Sequence, residues 1–261
     1  MARLCPDMRR VVVPSELLRV EPPADVPLPE AAAHYATRVL RLRPGDPIQL
    51  IDSNGLIAVG TLGPLNVVHV AQLTRSTAGE SSLELGLLVG LPKGERWEWI
   101  IQKCTELGAH WIQPLYTERG DVTIPDTRLD RRLERWRRIA AEATRQCRRS
   151  QACHIVPPQS LSEALQALQE PSSLELRVVA AVSSPGGAAD SLMGYMTTCA
   201  GASIRRATVL VGPEGGLTDA EVKAAMAATF TPVKLGPRVL RTETAAVAAC
   251  TLLQAVWGDM R

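Results

Sequence analysis

Two rhythms of apolar residues divide the chain. Through residues 10–75 the apolar runs are short and broken by turn residues. They are Arg10-Val-Val-Val13, Asp46-Pro-Ile-Gln-Leu-Ile51, Gly55-Leu-Ile-Ala-Val-Gly60 and Val67-Val-His-Val-Ala-Gln-Leu73. The second and third flank Asp52-Ser-Asn-Gly55, where Asn54-Gly55 is a strong hairpin signal. Ala31–Leu42 predicts a short helix. Several short strands with turns suggest a small barrel. The polar, small-residue stretch Thr74–Ser82 reads as a linker and separates residues 1–77 from residues 78–261. Beyond it the periodicity alternates. Strands are predicted at Leu83–Leu91, Trp111–Tyr116, Leu176–Val182, Ala207–Val211 and Pro232–Leu235, and helices at Glu95–Leu107, Thr127–Arg149 and Thr244–Trp257. Alternating strands and helices imply a mostly parallel sheet, an α/β architecture. Ser183–Ser203 has turn residues and little periodicity and is expected to be loop. The last helix lacks a polar face, so it is expected to be buried against its own sheet or a second subunit.

Composition narrows the picture. The 261 residues are 46% hydrophobic but only 3% aromatic, so the core is aliphatic. The net charge of +2 excludes little by itself. Six cysteines without a C-x-x-C pair, and only four histidines, make a zinc site an unlikely design. Several cysteines stand in apolar runs, as reduced buried cysteines do, and Arg3, Asp7, Arg9 and Arg10 interrupt any signal-peptide pattern. No segment reaches the ~18 apolar residues of a membrane span. The expectation is a reduced, cytoplasmic protein with no membrane segment and no metal.

Charge distribution says more than the total. Arg128, Arg131, Arg132, Arg135, Arg137, Arg138, Arg145, Arg148 and Arg149 line one segment, while Leu133, Trp136, Ala140, Ala143 and Cys147 form its apolar stripe. Most such runs are solvated helix surface. The excess of positive charge here favours nucleic acid. Lys93-Gly-Glu-Arg96 follows a strand and opens a helix, and Lys93 there can meet phosphate or solvent.

The densest chemistry lies near the C-terminus, in Leu210-Val-Gly-Pro-Glu-Gly-Gly-Leu-Thr218 and Leu235-Gly-Pro-Arg-Val-Leu-Arg-Thr-Glu-Thr-Ala245. Each follows a strand and precedes a helix, and ligands bind at the carboxyl ends of parallel strands. Thr218-Asp-Ala-Glu221 is a capping box. The first loop is compatible with a tight turn, a phosphate cradle or another ligand site. Glu214 argues against phosphate and suits a ligand rich in donors or positive charge. In the second loop, Arg238, Arg241 and Glu243 crowd the start of the apolar helix, where charge is costly unless paired or used. Arg241 and Glu243 either pair with each other or serve a site.

Together with Arg38-Val-Leu-Arg-Leu-Arg-Pro-Gly-Asp46, Lys93-Gly-Glu-Arg96 through Gly108, Pro114-Leu-Tyr-Thr-Glu-Arg119 and Gln146-Cys-Arg-Arg149, these loops resemble the RsmE-type family of ribosomal RNA methyltransferases. The match runs in the family's order over nearly the whole chain. The resemblance implies S-adenosylmethionine as cofactor and N3 of a uridine in 16S ribosomal RNA of the small subunit as target. It implies an N-terminal domain resembling the PUA barrel and a C-terminal SPOUT domain with a trefoil knot, working as a homodimer. Sequence reasoning alone would not propose a knot. Carried onto this chain, Val211, Gly212, Pro213, Glu214, Gly216, Leu235, Gly236, Leu240, Thr244 and Ala245 are implied to line the cofactor pocket. Arg241 and Glu243 would lie nearest the methyl group. Arg10, Arg38, Arg41, Lys93, Gln146 and Arg149 would touch RNA. The chain departs from the family at Arg145, where Glu is usual, and at Cys153, where Pro is common. Two other readings are a knotted methyltransferase for another RNA position and a non-catalytic RNA-binding assembly factor. A nucleotide-binding enzyme is disfavoured because no Lys-Ser/Thr phosphate loop is present.

Overall fold

The computed structural model describes residues 8–52, 55–181, 189–199 and 201–260. Asn54 of the expected hairpin turn, the start of the chain with Arg3, Cys5 and Asp7, and residues 183–188 of the expected loop lie outside these. The chain forms two compact units, one of residues 1–80 with 144–152 and one of residues 81–143 with 153–261.

The first unit is a five-stranded sheet in the order β1-β3-β4-β5-β2. Its strands are β1 (Arg9–Val12), β2 (Ala24–Pro27), β3 (Pro47–Ile51), β4 (Leu56–Leu62) and β5 (Val67–Arg75). β3, β4 and β5 form an antiparallel meander. The β-branched runs bury one face: Val68 and Val70 point inward while His69 and Ala71 point out. Helix α1 (Glu30–His34) runs into a π-turn over Tyr35–Val39, so the expected helix at residues 31–42 ends earlier than its apolar pattern. Ala32, Ala33 and Ala36 join Val11, Leu50, Val68 and Val70 in the core.

Residues 144–152 complete this unit. Glu80 accepts from the Arg149 guanidinium at 2.7 and 3.0 Å and from the Ser150 and Gln151 amides at 2.9 and 2.8 Å. Both charged side chains are buried, at 3% and 4% exposure. The ion pair is satisfied by further hydrogen bonds, which a buried charge requires.

The second unit is built on an eight-stranded sheet, ordered β11-β13-β10-β12-β6-β7-β8 with β9 beside β7. Its strands are β6 (Glu84–Gly90), β7 (Ala109–Tyr116), β8 (His154–Ile155), β9 (Gln159–Ser160), β10 (Glu175–Ala180), β11 (Asp190–Ser191), β12 (Arg206–Val211) and β13 (Thr231–Lys234). Its helices are α2 (Arg96–Glu106), the body of α3 (Asp126–Gln146), α4 (Leu161–Ala167), α5 (Leu192–Thr198), α6 (Asp219–Ala227) and α7 (Thr242–Trp257). Every ladder of this sheet among the described residues is parallel.

Both faces of this sheet are covered, which explains the unbroken apolar runs of its central strands. Leu87, Val89, Val209 and Val211 pack with Trp97, Ile101, Ala246, Ala249 and Leu253 of α2 and α7. Leu88 and Leu210, one residue out of phase, pack with Leu161 and Leu165 of α4 and with Ala225 and Phe230. Cys153 sits in the first of these clusters. The segment expected to be loop at residues 183–203 instead contains β11 and α5. The signal was weak because α5 buries only Leu192 and Met196 and is started by the Ser191 side chain.

Candidate active site

The parallel sheet places the carboxyl ends of β12, β10 and β13 side by side, with β10 in the middle. The two glycine loops leave the outer two strands at this edge. At Gly90, where β6 ends beside them, an added Cβ would lie 2.5 Å from Pro213, so only glycine lets the first loop pack here. In the first loop Gly216 adopts φ +70°, and an added Cβ would meet nothing within 4 Å. Gly236 in the second loop is similar, at φ +115° and facing open space.

The capping box is present. Thr218 Oγ1 accepts from the Glu221 amide at 3.2 Å, and Glu221 Oε2 accepts from the Thr218 amide at 2.8 Å. Glu221 does more than its sequence pattern announces: its Oε1 accepts from the Glu118 amide at 2.9 Å. That bond fastens the Pro114–Arg119 run to the first turn of α6, and Arg119 reaches the loop itself by donating to the Gly215 carbonyl at 3.5 Å.

The loops are tied to each other by Thr242, whose Oγ1 donates to the Gly212 carbonyl at 3.1 Å. Arg96 makes a second tie. Its Nη1 lies 2.6 Å from Glu214 Oε1 and its Nε 3.9 Å from Glu243 Oε1. The Lys93 amide also donates to Glu214, at 3.2 Å. The donors expected from a ligand at Glu214 therefore come from the chain itself. Glu243 pairs with Arg96 rather than with Arg241. Neither Thr242 nor Arg96 was singled out by sequence. The Lys93-Gly-Glu-Arg96 motif was the available signal for Arg96, and nothing short of the fold brings Thr242 to Gly212.

Glu243 is 16% exposed, and its second oxygen is buried without a hydrogen-bond partner among the described residues. Such an atom is costly unless a ligand or substrate completes it. Arg241, the residue before α7, is exposed. Among the described residues, the backbone groups of residues 236–240 make no hydrogen bonds with one another or with the rest of the chain. Leu235 and Leu240 pack against the core from the loop's two ends. A glycine-opened loop with free amides and carbonyls, apolar flanks and one orphan carboxylate oxygen fits a nucleoside-bearing ligand: backbone groups for its polar edges, leucines for its ring faces. Val211, Pro213 and Ala245 are buried, and Thr244 is exposed at the start of α7.

The residues expected to touch RNA fall in both units. In the first, Arg38 and Arg41 are exposed, as is Gln146. Arg10 is partly buried and donates to Gln49 Oε1 and to the Arg148 carbonyl, both at 3.1 Å. Arg149 is locked to Glu80 and leaves RNA almost no surface, so its part is structural. The unusual Arg145 stacks on the Tyr35 ring at 3.8 Å, a cation–π contact that Glu could not make. In the second unit, Lys93 is exposed and lies 2.5 Å from Asp121, which raises its pKa above the ordinary lysine value through that hydrogen bond and charge. Among the described residues no group of three or more acidic, His or Cys side chains is arranged to hold a metal, and no helix is long and apolar enough to cross a membrane.

Comparison with known proteins agrees with this geometry. Residues 79–254 match the RNA methyltransferase domain family, and residues 28–66 match the RNA methyltransferase PUA domain. The chain is 38% identical over 252 residues to ribosomal RNA small subunit methyltransferase E of Synechocystis, covering 95% of this chain and 77% of that protein. Its identity to the Bacillus subtilis protein of the same name is 33%, over 84% and 86% of the two chains. The crystal structure of ribosomal RNA small subunit methyltransferase E from Neisseria gonorrhoeae, bound to S-adenosylmethionine, superposes with a TM-score of 0.79. The two share 30% identity over 97% of this chain and all of that one. The chain belongs to the ribosomal RNA small subunit methyltransferase E family, an RNA methyltransferase domain joined to a PUA-like domain.

Proposed function

We propose that this protein methylates N3 of one uridine in 16S ribosomal RNA, using S-adenosylmethionine. The observation that carries the reading is the pair of strand-end loops joined through Thr242 and Arg96, with a buried, unpartnered Glu243 oxygen beside an exposed Arg241. Gly212, Pro213, Gly216, Leu235, Gly236, Leu240 and Ala245 would hold the cofactor, with Val211, Glu214 and Thr244 at its margins. When bound, it supplies a methyl group on a cationic sulfur. The chain's own residues must prepare the nucleophile, because uridine N3 carries a proton at neutral pH. Glu243 accepts that proton on its free oxygen. Arg241 neutralises the charge that develops on the uracil carbonyl oxygens. The target base must be unpaired or extruded for its pairing edge to reach the site.

Exposed Arg38, Arg41, Lys93 and Gln146, with the partly buried Arg10, would meet the RNA. The chain would be threaded as a trefoil knot and act in the cytoplasm as a homodimer. The half-exposed face of α7 supports self-association: Thr244, Val247, Ala248, Thr251 and Ala255 carry no charge.

The test uses small subunits from cells lacking the gene, incubated with the protein and methyl-labelled cofactor. Nucleoside mass spectrometry should find N3-methyluridine at one site. Label in another nucleoside would redirect the reading to another RNA position. No label and no cofactor binding would reduce the protein to an RNA-binding factor.

A further inference from the structure

A second concavity lies beyond the Pro92–Arg96 segment. It has a volume of about 590 Å³, and one wall is helix α3, which presents Arg128, Arg131, Arg132 and Arg135. Arg128 lies three and four residues before Arg131 and Arg132, and Arg135 four and three after them, so the four share a helix face. Arg135 is neutralised by Glu98 at 2.7 Å. Arg128, Arg131 and Arg132 have no ion pair among the described residues, although Glu95 also lines the space. Its floor includes Trp97 and Trp136, only 2% and 1% exposed and packed edge-to-face at 5.5 Å. Their ring faces are therefore unavailable for stacking a base. The buried indole N–H of Trp97 has no partner among the described residues.

We infer that this cavity grips the sugar-phosphate backbone of the RNA strand that carries the target base. The inference rests on the methyltransferase reading above. Charge without exposed aromatic faces recognises phosphate rather than sequence. Arg128 to Arg135 spans about 10 Å of helix axis, enough to meet more than one phosphate of a strand. A protein partner would instead want a large apolar side chain exposed within the charged rim, whereas Leu91, Pro92, Trp97 and Trp136 of this lining are buried and Val122 is half-buried. The position also suits the task. Gly94 and Glu95 line the cavity, while the Lys93 amide and Arg96 on the same segment hold Glu214 of the cofactor loop. Backbone gripped on one side of this segment would leave an adjacent base within reach of the other.

The test is fluorescence anisotropy of a fluorescein-labelled single-stranded RNA 20-mer from 50 to 200 mM salt, with the full-length protein. The combined Arg128→Gln, Arg131→Gln, Arg132→Gln variant should bind at least tenfold more weakly. Its salt slope should fall by about 2, from ~0.7 per lost phosphate contact on a single strand. Calorimetric S-adenosylmethionine binding and the thermal melt should not change. Arg137→Gln with Arg138→Gln, exposed on the same helix but outside the cavity, should cost less. Unchanged RNA affinity in the folded triple variant would overturn the inference and leave the methyltransferase reading intact. So would an equal loss in the control pair, or polyglutamate binding as tightly as RNA with the same arginine dependence. A wild-type protein that binds neither RNA nor cofactor would overturn both.

Discussion

Glu243 and Arg241 sit two residues apart but in different environments, one mostly buried and paired with Arg96, the other exposed. Their substitutions should separate accordingly. Arg241→Ala should lower single-turnover methyl transfer by about 10²–10³-fold, the range for removing one charge-stabilising donor. Cofactor affinity measured by calorimetry should stay within a few-fold. Glu243→Gln keeps the shape and removes the proton acceptor, so transfer should fall by about 10²–10⁴-fold, and raising the pH should restore part of it. Undiminished transfer in either variant would remove that residue's role. His154 reports on a different balance. His154 stands exposed at the start of β8, yet partial burial of its ring, helped by the nearby Arg137 charge, lowers its pKa below the ordinary 6.5. The unfolded chain therefore binds the proton first as pH falls. The neutral histidine is without penalty above pH 6.5, and stability is lost below it. His154→Gln should flatten the decline in melting temperature between pH 7 and 5.

At the scale of elements, the two loops behave as one because α2 reaches them through Arg96. Arg96→Ala should weaken cofactor binding by about tenfold, the scale of one charge-assisted bond. Arg96→Lys should restore less than half of that loss in free energy, since an ammonium cannot span two carboxylates as a planar guanidinium does. The capping box that ends the first loop is separable from chemistry: Thr218→Ala should cost about 1 kcal/mol in urea unfolding. These elements were visible in the sequence to different degrees. Apolar runs and Gly-Pro loops marked β6, β7, β10, β12, β13 and the helices α2, α3 and α7, because burial on both faces leaves a dense signal. Short pieces were not visible. α4 carries its own capping box, Ser160 with Glu163, yet its seven residues show too few turns of periodicity to register. The Arg96–Glu214 pair is not legible either, because nothing near Glu214 along the chain announces that Arg96, 118 residues away, reaches it.

For the whole molecule, the sequence correctly suggested a β-rich unit followed by a parallel α/β unit. What it could not suggest was that residues 144–152 return to the first unit. That return is made by polar bonds with no periodicity: Glu80 to Arg149, Ser150 and Gln151, and Ser150 Oγ to the Ser76 carbonyl at 2.9 Å. It also changes Arg149 from an expected RNA contact into a structural residue. A fragment ending at residue 80 would keep the Glu80 carboxylate but lose every one of these donors. Such a fragment should show little cooperative melting. Arg149→Ala in the full chain should cost about 3–5 kcal/mol, the penalty for leaving a buried carboxylate without its partner.

The same bond sets an order of events during synthesis. Glu80 and Arg149 are 69 residues apart in the chain, and strands β6 and β7 and all of α3 are made between them. The N-terminal unit is therefore not finished when its own strands have left the ribosome. At elongation rates of about 5–20 residues per second, its last donors arrive seconds later. Until then Glu80 waits in water, and the linker stays free while the first strands of the catalytic sheet form.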